Sequence, residues 1–218
     1  MTRAMLFKEL RETMWIALAG VAVHVYCVLG LVGFDLLTLQ VVRRGQTPFV
    51  SDNSLSTFAL VATCVAVVLG LRQTVTEASR GTWLFLLQRP VSRRRLLTLK
   101  LGVGLILCLM TSAFPILLYG WWAATPGTHP NPFEWSMTLW SWQGCLSITG
   151  VYLAAFLSGI RPARWFGTRL APLVGAGMLL VLIQFVPHWW VFGLGALVLI
   201  DAWLAATILA VAQTRDYS

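Results

Sequence analysis

The sequence predicts an all-α membrane protein with six transmembrane helices, an amphipathic interfacial helix at the N-terminus and both termini in the cytoplasm. Two observations predict this class: the composition is strongly apolar, and long apolar runs recur along the whole chain. Of the 218 residues, 58% are hydrophobic and 11% are charged, and the mean hydropathy is +0.76. Soluble domains have roughly 45–50% apolar and about 25% charged residues, so this composition excludes a soluble enzyme and a disordered chain.

Six apolar runs are long enough to cross a hydrocarbon core about 30 Å thick. The predicted spans cover residues 14–39, 55–71, 96–122, 138–160, 170–186 and 189–212. The second run is the shortest, but no helix breaker follows Leu71, so we expect that helix to continue as a polar extension into water. The runs lack the alternation of apolar and polar residues that membrane-spanning strands require, which favours helices.

The basic residues predict the orientation of these spans. Fourteen of the 16 Lys and Arg residues fall on the side of the two termini, whereas Arg43 and Arg44 fall on the other side. Cytoplasmic loops of membrane proteins carry the excess of basic residues, so we expect cytoplasmic termini and a multi-pass protein of the plasma (cytoplasmic or inner) membrane. The net charge of +8 is then a topology signal, and we expect the lipid bilayer, not nucleic acid, as the partner of these charges.

The N-terminal segment, residues 1–13, has an amphipathic pattern. Leu6, Phe7 and Leu10 are interleaved with the charged residues Lys8 and Glu12. A helix with this pattern lies in the membrane interface with its apolar face toward the lipid. We therefore predict an interfacial helix over residues 1–13. The alternative is a disordered basic segment that only helps to set the orientation.

The longest polar segment, residues 72–95, lies on the predicted cytoplasmic side between the second and third spans. Its apolar centre, residues 82–87, is too short to cross a membrane and suits a helix on the membrane surface or against a partner protein. Pro90 ends this helix, because proline lacks the backbone donor and clashes with a continuing helix. The alternative is a basic loop that only fixes the topology.

This segment carries a family resemblance. Residues 77–82 (EASRGT), 86–87 (LL) and 90–93 (PVSR), followed by Lys100, resemble the pattern in the first cytoplasmic loop of ABC-2 type transporter permeases. In that family the chain is the membrane subunit of an ATP-driven transporter, so the resemblance implies a single transmembrane domain over residues 1–218. It also implies that residues 72–95 hold a coupling helix, which docks in a cleft of a separate nucleotide-binding ATPase.

The resemblance assigns roles to six residues of this loop. Those expected to contact the ATPase are Glu77, Arg80, Gly81 and Thr82. Arg89 and Pro90 are expected to direct the chain from the loop into the third span. No G-x-x-x-x-G-K-[ST] phosphate loop occurs in the sequence, so we expect ATP and Mg to be bound by the partner subunit, with no cofactor and no enzyme activity in this chain.

The resemblance further implies an exporter that works as a homodimer, or as a heterodimer with a second permease. Two other classes of function stay open at this point: a polytopic membrane enzyme, and an ATP-independent channel or scaffold. An enzyme would need catalytic groups clustered at one depth, and the three histidines, His24, His129 and His188, lie in separate places without a catalytic motif around them. A channel or scaffold would not need the loop pattern.

Two polar residues lie near the middle of predicted spans, His24 in the first and Asp201 in the sixth. An ionised carboxylate is costly at that depth, so we expect it to have a partner and a role. The similar depths suggest a His24–Asp201 pair, either between helices one and six or across a dimer interface. The alternative is a protonated Asp201, or one bonded to a neighbouring hydroxyl, that only fixes helix packing.

The connection between the fifth and sixth spans departs from the family pattern. Many members place re-entrant elements there, whereas only Pro187 and His188 separate the two runs here. Either the exit gate is minimal, or the spans bend inward around Pro187 and begin their re-entry earlier. A pathway walled by apolar residues favours lipid-like or amphipathic cargo over free ions.

Overall fold

The computed structural model describes residues 2–35, 40–41, 47–79, 93–128, 132–161 and 168–214. Within these ranges the chain forms six α-helices and one antiparallel pair of two-residue strands. The helices are α1 (Thr2–Val32), α2 (Ser54–Ser79), α3 (Arg93–Ala124), α4 (Leu139–Ile160), α5 (Ala171–Gln184) and α6 (Phe192–Thr214). The strands are β1 (Phe34–Asp35) and β2 (Gln40–Val41), and a 3₁₀ turn, Trp135–Thr138, leads into α4.

The helices alternate in direction, so the described ends Thr2 and Thr214 lie at the same end of the bundle. We call this the terminal end; it also holds Ser79, Arg93 and Ile160. The opposite end, with Val32 and Phe192, is the distal end. Contacts between helices follow this arrangement, since the start of α3 meets α1, α2 and α4 at the terminal end.

Helix α4 is the centre of the bundle. Residues 152–160 are all buried, and α4 packs most extensively against α2. Small residues make this close packing possible, because they let two helix backbones approach each other. A Cβ atom on Gly70 would lie 2.8 Å from the Cβ of Ala155 and 2.9 Å from the carbonyl oxygen of Tyr152, and a Cβ on Gly159 would overlap the hydroxyl of Thr74.

The distal end is closed by aromatic side chains. Tyr119 of α3 stacks on Trp122 with ring centroids 5.5 Å apart, and Phe49 packs against Tyr119 at 4.9 Å. The Tyr119 hydroxyl donates a hydrogen bond of 2.7 Å to the Asp52 carboxylate, which also accepts one of 2.6 Å from the Ser54 hydroxyl at the start of α2. These contacts fix the loop before α2 onto α3.

The N-terminal segment differs from the prediction. Helix α1 is continuous from Thr2 to Val32, so residues 2–13 belong to the same helix as the first predicted span. One charged residue of this segment, Glu9, is buried against α3, whereas Lys8 and Glu12 stay exposed. The first predicted span, 14–39, also ends earlier, at Val32.

Helix α2 confirms the expected continuation beyond Leu71, since it runs to Ser79. Only part of this continuation faces water, since Arg72 is exposed but two other polar residues are not. Gln73 is 3% exposed and Thr74 is 1% exposed, and both pack against neighbouring helices. The polar residues there serve contacts inside the bundle.

The fifth predicted span is shorter than expected. Helix α5 has 14 residues and is therefore about 21 Å long, less than the roughly 30 Å of a hydrocarbon core. The other five helices have the length and hydropathy to cross a membrane. Residues 185–191 form turns between α5 and α6, and His188 has a positive φ of 53°.

Helix α5 ends partway along the bundle, before it reaches the distal end. The Gln184 side chain donates a hydrogen bond of 2.7 Å to the Ser147 hydroxyl, and Ser147 lies about 12 Å along α4 from Leu139. Trp189 in the following turn is buried. The structure has turns on both sides of Pro187, and both arrangements considered for the exit gate stay predictions.

Candidate functional site

A buried ion pair joins α1 and α3 at the terminal end. The Lys100 Nζ lies 2.8 Å from the Glu9 Oε1, and the two side chains are only 3% and 8% exposed. A buried charge is costly unless it is paired, so each of these residues requires the other. The pair therefore fixes the position of α1 relative to the start of α3.

A hydrogen-bond network extends from the same point to α2 and α4. The Tyr152 hydroxyl donates to the Gln73 Oε1 at 2.6 Å, and the Gln73 Nε2 donates to the Lys100 carbonyl oxygen at 3.3 Å. Tyr152 is fully buried, and a Cβ on Gly104 would overlap its hydroxyl. Glycine at position 104 thus makes room for the phenol between α3 and α4. Glu9, Gln73, Lys100 and Tyr152 form what we call the terminal polar cluster.

The last carbonyl groups of α4 are satisfied close to this cluster. The Arg169 guanidinium donates to the carbonyl oxygens of Ser158 and Gly159 at 3.1 and 2.8 Å. The final carbonyls of a helix have no partner within the helix, and a cation is favourable there because of the helix dipole. The terminal end of the central helix is therefore tied to the chain that enters α5.

The terminal polar cluster lies next to the predicted coupling loop. Gln73 is in the last two turns of α2 and Lys100 is in the second turn of α3, so two of its members lie just before and just after residues 80–92. Of the predicted coupling residues, the structure places Glu77 in the last turn of α2. The others lie outside the described residues: Arg80, Gly81, Thr82, Arg89 and Pro90. Their roles stay predictions. The loop predicted over residues 72–95 is shorter in the structure, because residues 72–79 belong to α2 and residues 93–95 belong to α3.

His24 and Asp201 are not brought together within one chain. The His24 Nδ1 is 2.9 Å from the Gly20 carbonyl oxygen, and its ring packs against Phe58 of α2. Asp201 accepts a 2.6 Å hydrogen bond from the Thr149 hydroxyl of α4, which is the neighbouring-hydroxyl alternative considered for this residue. The His24 Nε2 and the Asp201 Oδ1 have no partner among the described residues. A pair across a dimer interface stays a prediction.

Sequence reasoning missed the terminal polar cluster. It assigned Glu9 to an interfacial helix, Gln73 to a solvated extension and Lys100 to a basic loop. One signal could have indicated the cluster: Lys100 is a single charge within the apolar run 96–108, and Gly104 follows it one helical turn later. A lysine placed this way in an apolar helix requires an internal partner.

A bundle of long apolar helices, joined at one end by buried polar side chains, defines a multi-pass helical membrane protein. The sequence model of the family described as ABC-2 family transporter protein matches residues 7–186. Because this match covers most of the chain and all of the terminal polar cluster, the chain belongs to the ABC-2 transporter family. It is the membrane component of a transporter, and the resemblance seen in residues 77–100 is confirmed at the level of the family. Neither curated proteins nor solved structures gave a match.

Proposed function

We propose that this chain is the permease subunit of an ATP-driven ABC exporter of the plasma membrane, coupled through residues 72–95 to a separate ABC ATPase that binds ATP and Mg. The family supports the permease role, and the lack of a phosphate loop in this sequence supports a separate ATPase. The distribution of basic residues supports a cytoplasmic terminal end. The permease acts as a homodimer or as a heterodimer with a second permease.

The terminal polar cluster is the observation that carries this proposal. It links α1, α2, α3 and α4 beside the two helix ends from which residues 80–92 emerge. Energetic coupling between distant sites is carried by packed side chains and by hydrogen-bond and salt-bridge networks. An ATPase that pulls on the loop therefore moves α2 and α3 together with the helices bonded to them.

Separating these four helices would be unfavourable. It would part the Lys100 ammonium group from the Glu9 carboxylate, and it would break the bond between Tyr152 and Gln73. The bundle at the terminal end consequently responds to the ATPase as one body. Within the loop, the proposed docking surface is formed by Glu77 and residues 80–82, and Arg89 and Pro90 direct the chain into α3.

Affinity purification from the membranes of the native host tests this function. The full chain, extracted in mild detergent, is expected to retain a protein with a phosphate loop in stoichiometric amount. Replacing residues 80–82 by alanines should release that protein. The matched control replaces Arg43 and Arg44, the two basic residues on the opposite side, and should leave the complex intact. Purification without any ATPase would favour the channel or scaffold alternative, whereas equal recovery of the ATPase from both variants would mean that it does not dock on residues 80–82.

A further inference from the structure

One face of α1 points away from the bundle near the terminal end. The buried residues of this part of the helix follow one another at intervals of four: Glu9, Thr13 and Ala17. Residues three or four positions apart share a face of a helix, so these three form the face that packs on the bundle. The opposite face, which we call the outward face, carries the exposed residues Phe7, Arg11, Trp15 and Leu18.

Arg11 lies between two aromatic residues on the outward face. Phe7, one turn toward the terminal end, is 68% exposed, and Trp15, one turn in the other direction, is 69% exposed. Arg11 is itself exposed and forms no ion pair with the described residues. Exposed aromatic side chains favour the membrane, whereas an arginine is costly within hydrocarbon. Both requirements are met at the level of the lipid headgroups.

The length of the helix agrees with this depth. Its apolar segment, Leu6–Val32, has 27 residues and is therefore about 40 Å long, roughly 10 Å more than a hydrocarbon core. If the segment is centred on the core, it extends about 5 Å beyond the core at each end. Arg11 lies about 8 Å along the helix from Leu6. Its long side chain therefore reaches the headgroup layer from the edge of the hydrocarbon.

An open groove beside Arg11 combines positive charge with apolar side chains. The described residues that border it are Phe7, Lys8, Leu10, Arg11 and Met14. The nearest acidic group of this segment is the Glu12 carboxylate, whose Oε1 lies 3.8 Å from the Lys8 Nζ. One carboxylate offsets only one of the two cations. The groove therefore keeps an excess of positive charge next to apolar surface.

We propose that the outward face of α1 binds an anionic phospholipid, with the phosphodiester beside Arg11 and Lys8 and an acyl chain along the apolar residues that follow. A soluble anion would leave those apolar side chains in water, and a soluble protein cannot follow them into the membrane. A zwitterionic headgroup would bring a cation of its own next to two others, which repel it. Basic residues at the membrane surface attract anionic lipid in this way. The site belongs to a single chain, and its occupation does not depend on an ATPase.

Native mass spectrometry of the full chain in a neutral detergent tests the proposal. The probes are dioleoylphosphatidylglycerol, which is anionic, and dioleoylphosphatidylcholine, which is zwitterionic. We expect the first equivalent of phosphatidylglycerol to bind at least about fivefold more tightly, because each basic residue near a membrane surface contributes about this factor to the affinity for anionic lipid. Equal affinities for the two lipids would overturn the proposal.

Arg72 supplies a matched control. It is an exposed arginine of α2 next to Gln73 of the terminal polar cluster, and none of the residues three or four positions from it is aromatic. Arg11→Gln should lower the affinity for phosphatidylglycerol about fivefold and leave that for phosphatidylcholine unchanged. Arg72→Gln, which changes the net charge equally, should change neither affinity by more than about twofold. Equal losses in the two variants would show a general attraction to basic charge and overturn the proposal.

A second copy of this chain is the competing occupant of the outward face. Mass spectrometry resolves monomers and dimers, so lipid binding can be followed on each. If a second chain covers the outward face, Arg11→Gln leaves the affinity of the dimer for phosphatidylglycerol unchanged, and that result would overturn the proposal. Because binding is measured without an ATPase, failure here leaves the proposed permease function untouched, and the reverse also holds.

Discussion

Lys100 and Glu9 are 91 positions apart in the sequence, yet their charged groups meet at 2.8 Å in the interior of the bundle. The contact brings the first turns of α1 against the beginning of α3. It gives a segment that the sequence presents as an amphipathic surface helix one buried contact with the rest of the bundle, while Phe7 and Lys8 stay exposed. Two predictions about stability and one about coupling concern this pair and its neighbours, and one more concerns Asp201.

The first prediction concerns the ion pair itself. Lys100→Met alone should lower the free energy of unfolding by about 3–5 kcal/mol, because it leaves the Glu9 carboxylate buried without the ammonium group 2.8 Å away, and Glu9→Met should also lower it because it removes the same contact. The double variant should lose much less than the sum of the two, since no unpaired charge is left. Thermal unfolding in detergent measures the three differences. Strict additivity of the two single substitutions would contradict a mutual dependence of the two charges.

The second prediction concerns the room made for Tyr152. Gly104→Ala should destabilise the protein by about 1–3 kcal/mol, because the added methyl group overlaps the phenol oxygen. Gly102→Ala is the matched control in the same helix, where a Cβ meets nothing within 4 Å and the substitution should be neutral or stabilising. Combining Gly104→Ala with Tyr152→Phe should relieve part of the overlap. Equal stability of the two alanine variants would show that the phenol does not lie against α3.

The third prediction concerns Asp201. Thr149→Val should cost about 1–3 kcal/mol, because it removes the hydroxyl that donates to a buried carboxyl group. Asp201→Asn should cost less, since the amide oxygen still accepts that bond. The effects of His24→Ala and Asp201→Asn should add within about 0.5 kcal/mol, as expected of residues that share no partner. A larger interaction energy between these two substitutions would instead support their pairing across a dimer interface.

The fourth prediction concerns coupling and rests on the proposed function. The double variant Glu9→Met and Lys100→Met keeps apolar packing but lacks the ion pair. It should still recruit the ATPase, because the docking surface is elsewhere. The ATPase rate of the assembled complex, compared with that of the wild-type complex, should change by a factor equivalent to about 0.5–2 kcal/mol of coupling free energy. An unchanged rate would mean that the terminal polar cluster stabilises the bundle without transmitting motion.

Much of the fold could be predicted from the sequence, because lipid imposes a simple requirement on helices. A segment in a membrane must satisfy its backbone internally and be apolar for about 20 residues, and both conditions are visible in the order of residues. The positions of α2, α3, α4 and α6 follow from it within a few residues. The continuation of α2 beyond Leu71 was also predictable, since nothing there breaks a helix.

The length of α5 could not be predicted in the same way. Residues 170–186 are apolar whether the helix ends at Gln184 or continues, so hydropathy does not mark its end. Its last residue, Gln184, makes a tertiary contact, a hydrogen bond to Ser147, that no pattern in the sequence shows. The partner of Glu9 was equally hidden, because a pairing between α1 and α3 leaves no periodic signal in either segment. The family resemblance identified the predicted coupling loop, but it gave no indication of the terminal polar cluster.

The short helix α5 has a consequence for the bilayer around the protein. A helix about 21 Å long next to helices that match a full hydrocarbon core presents two hydrophobic thicknesses on one molecule. Lipids relieve such a mismatch by thinning locally. We therefore expect the membrane beside α5 to be thinner than the membrane beside α3, which would give the lipid around this protein a step in thickness.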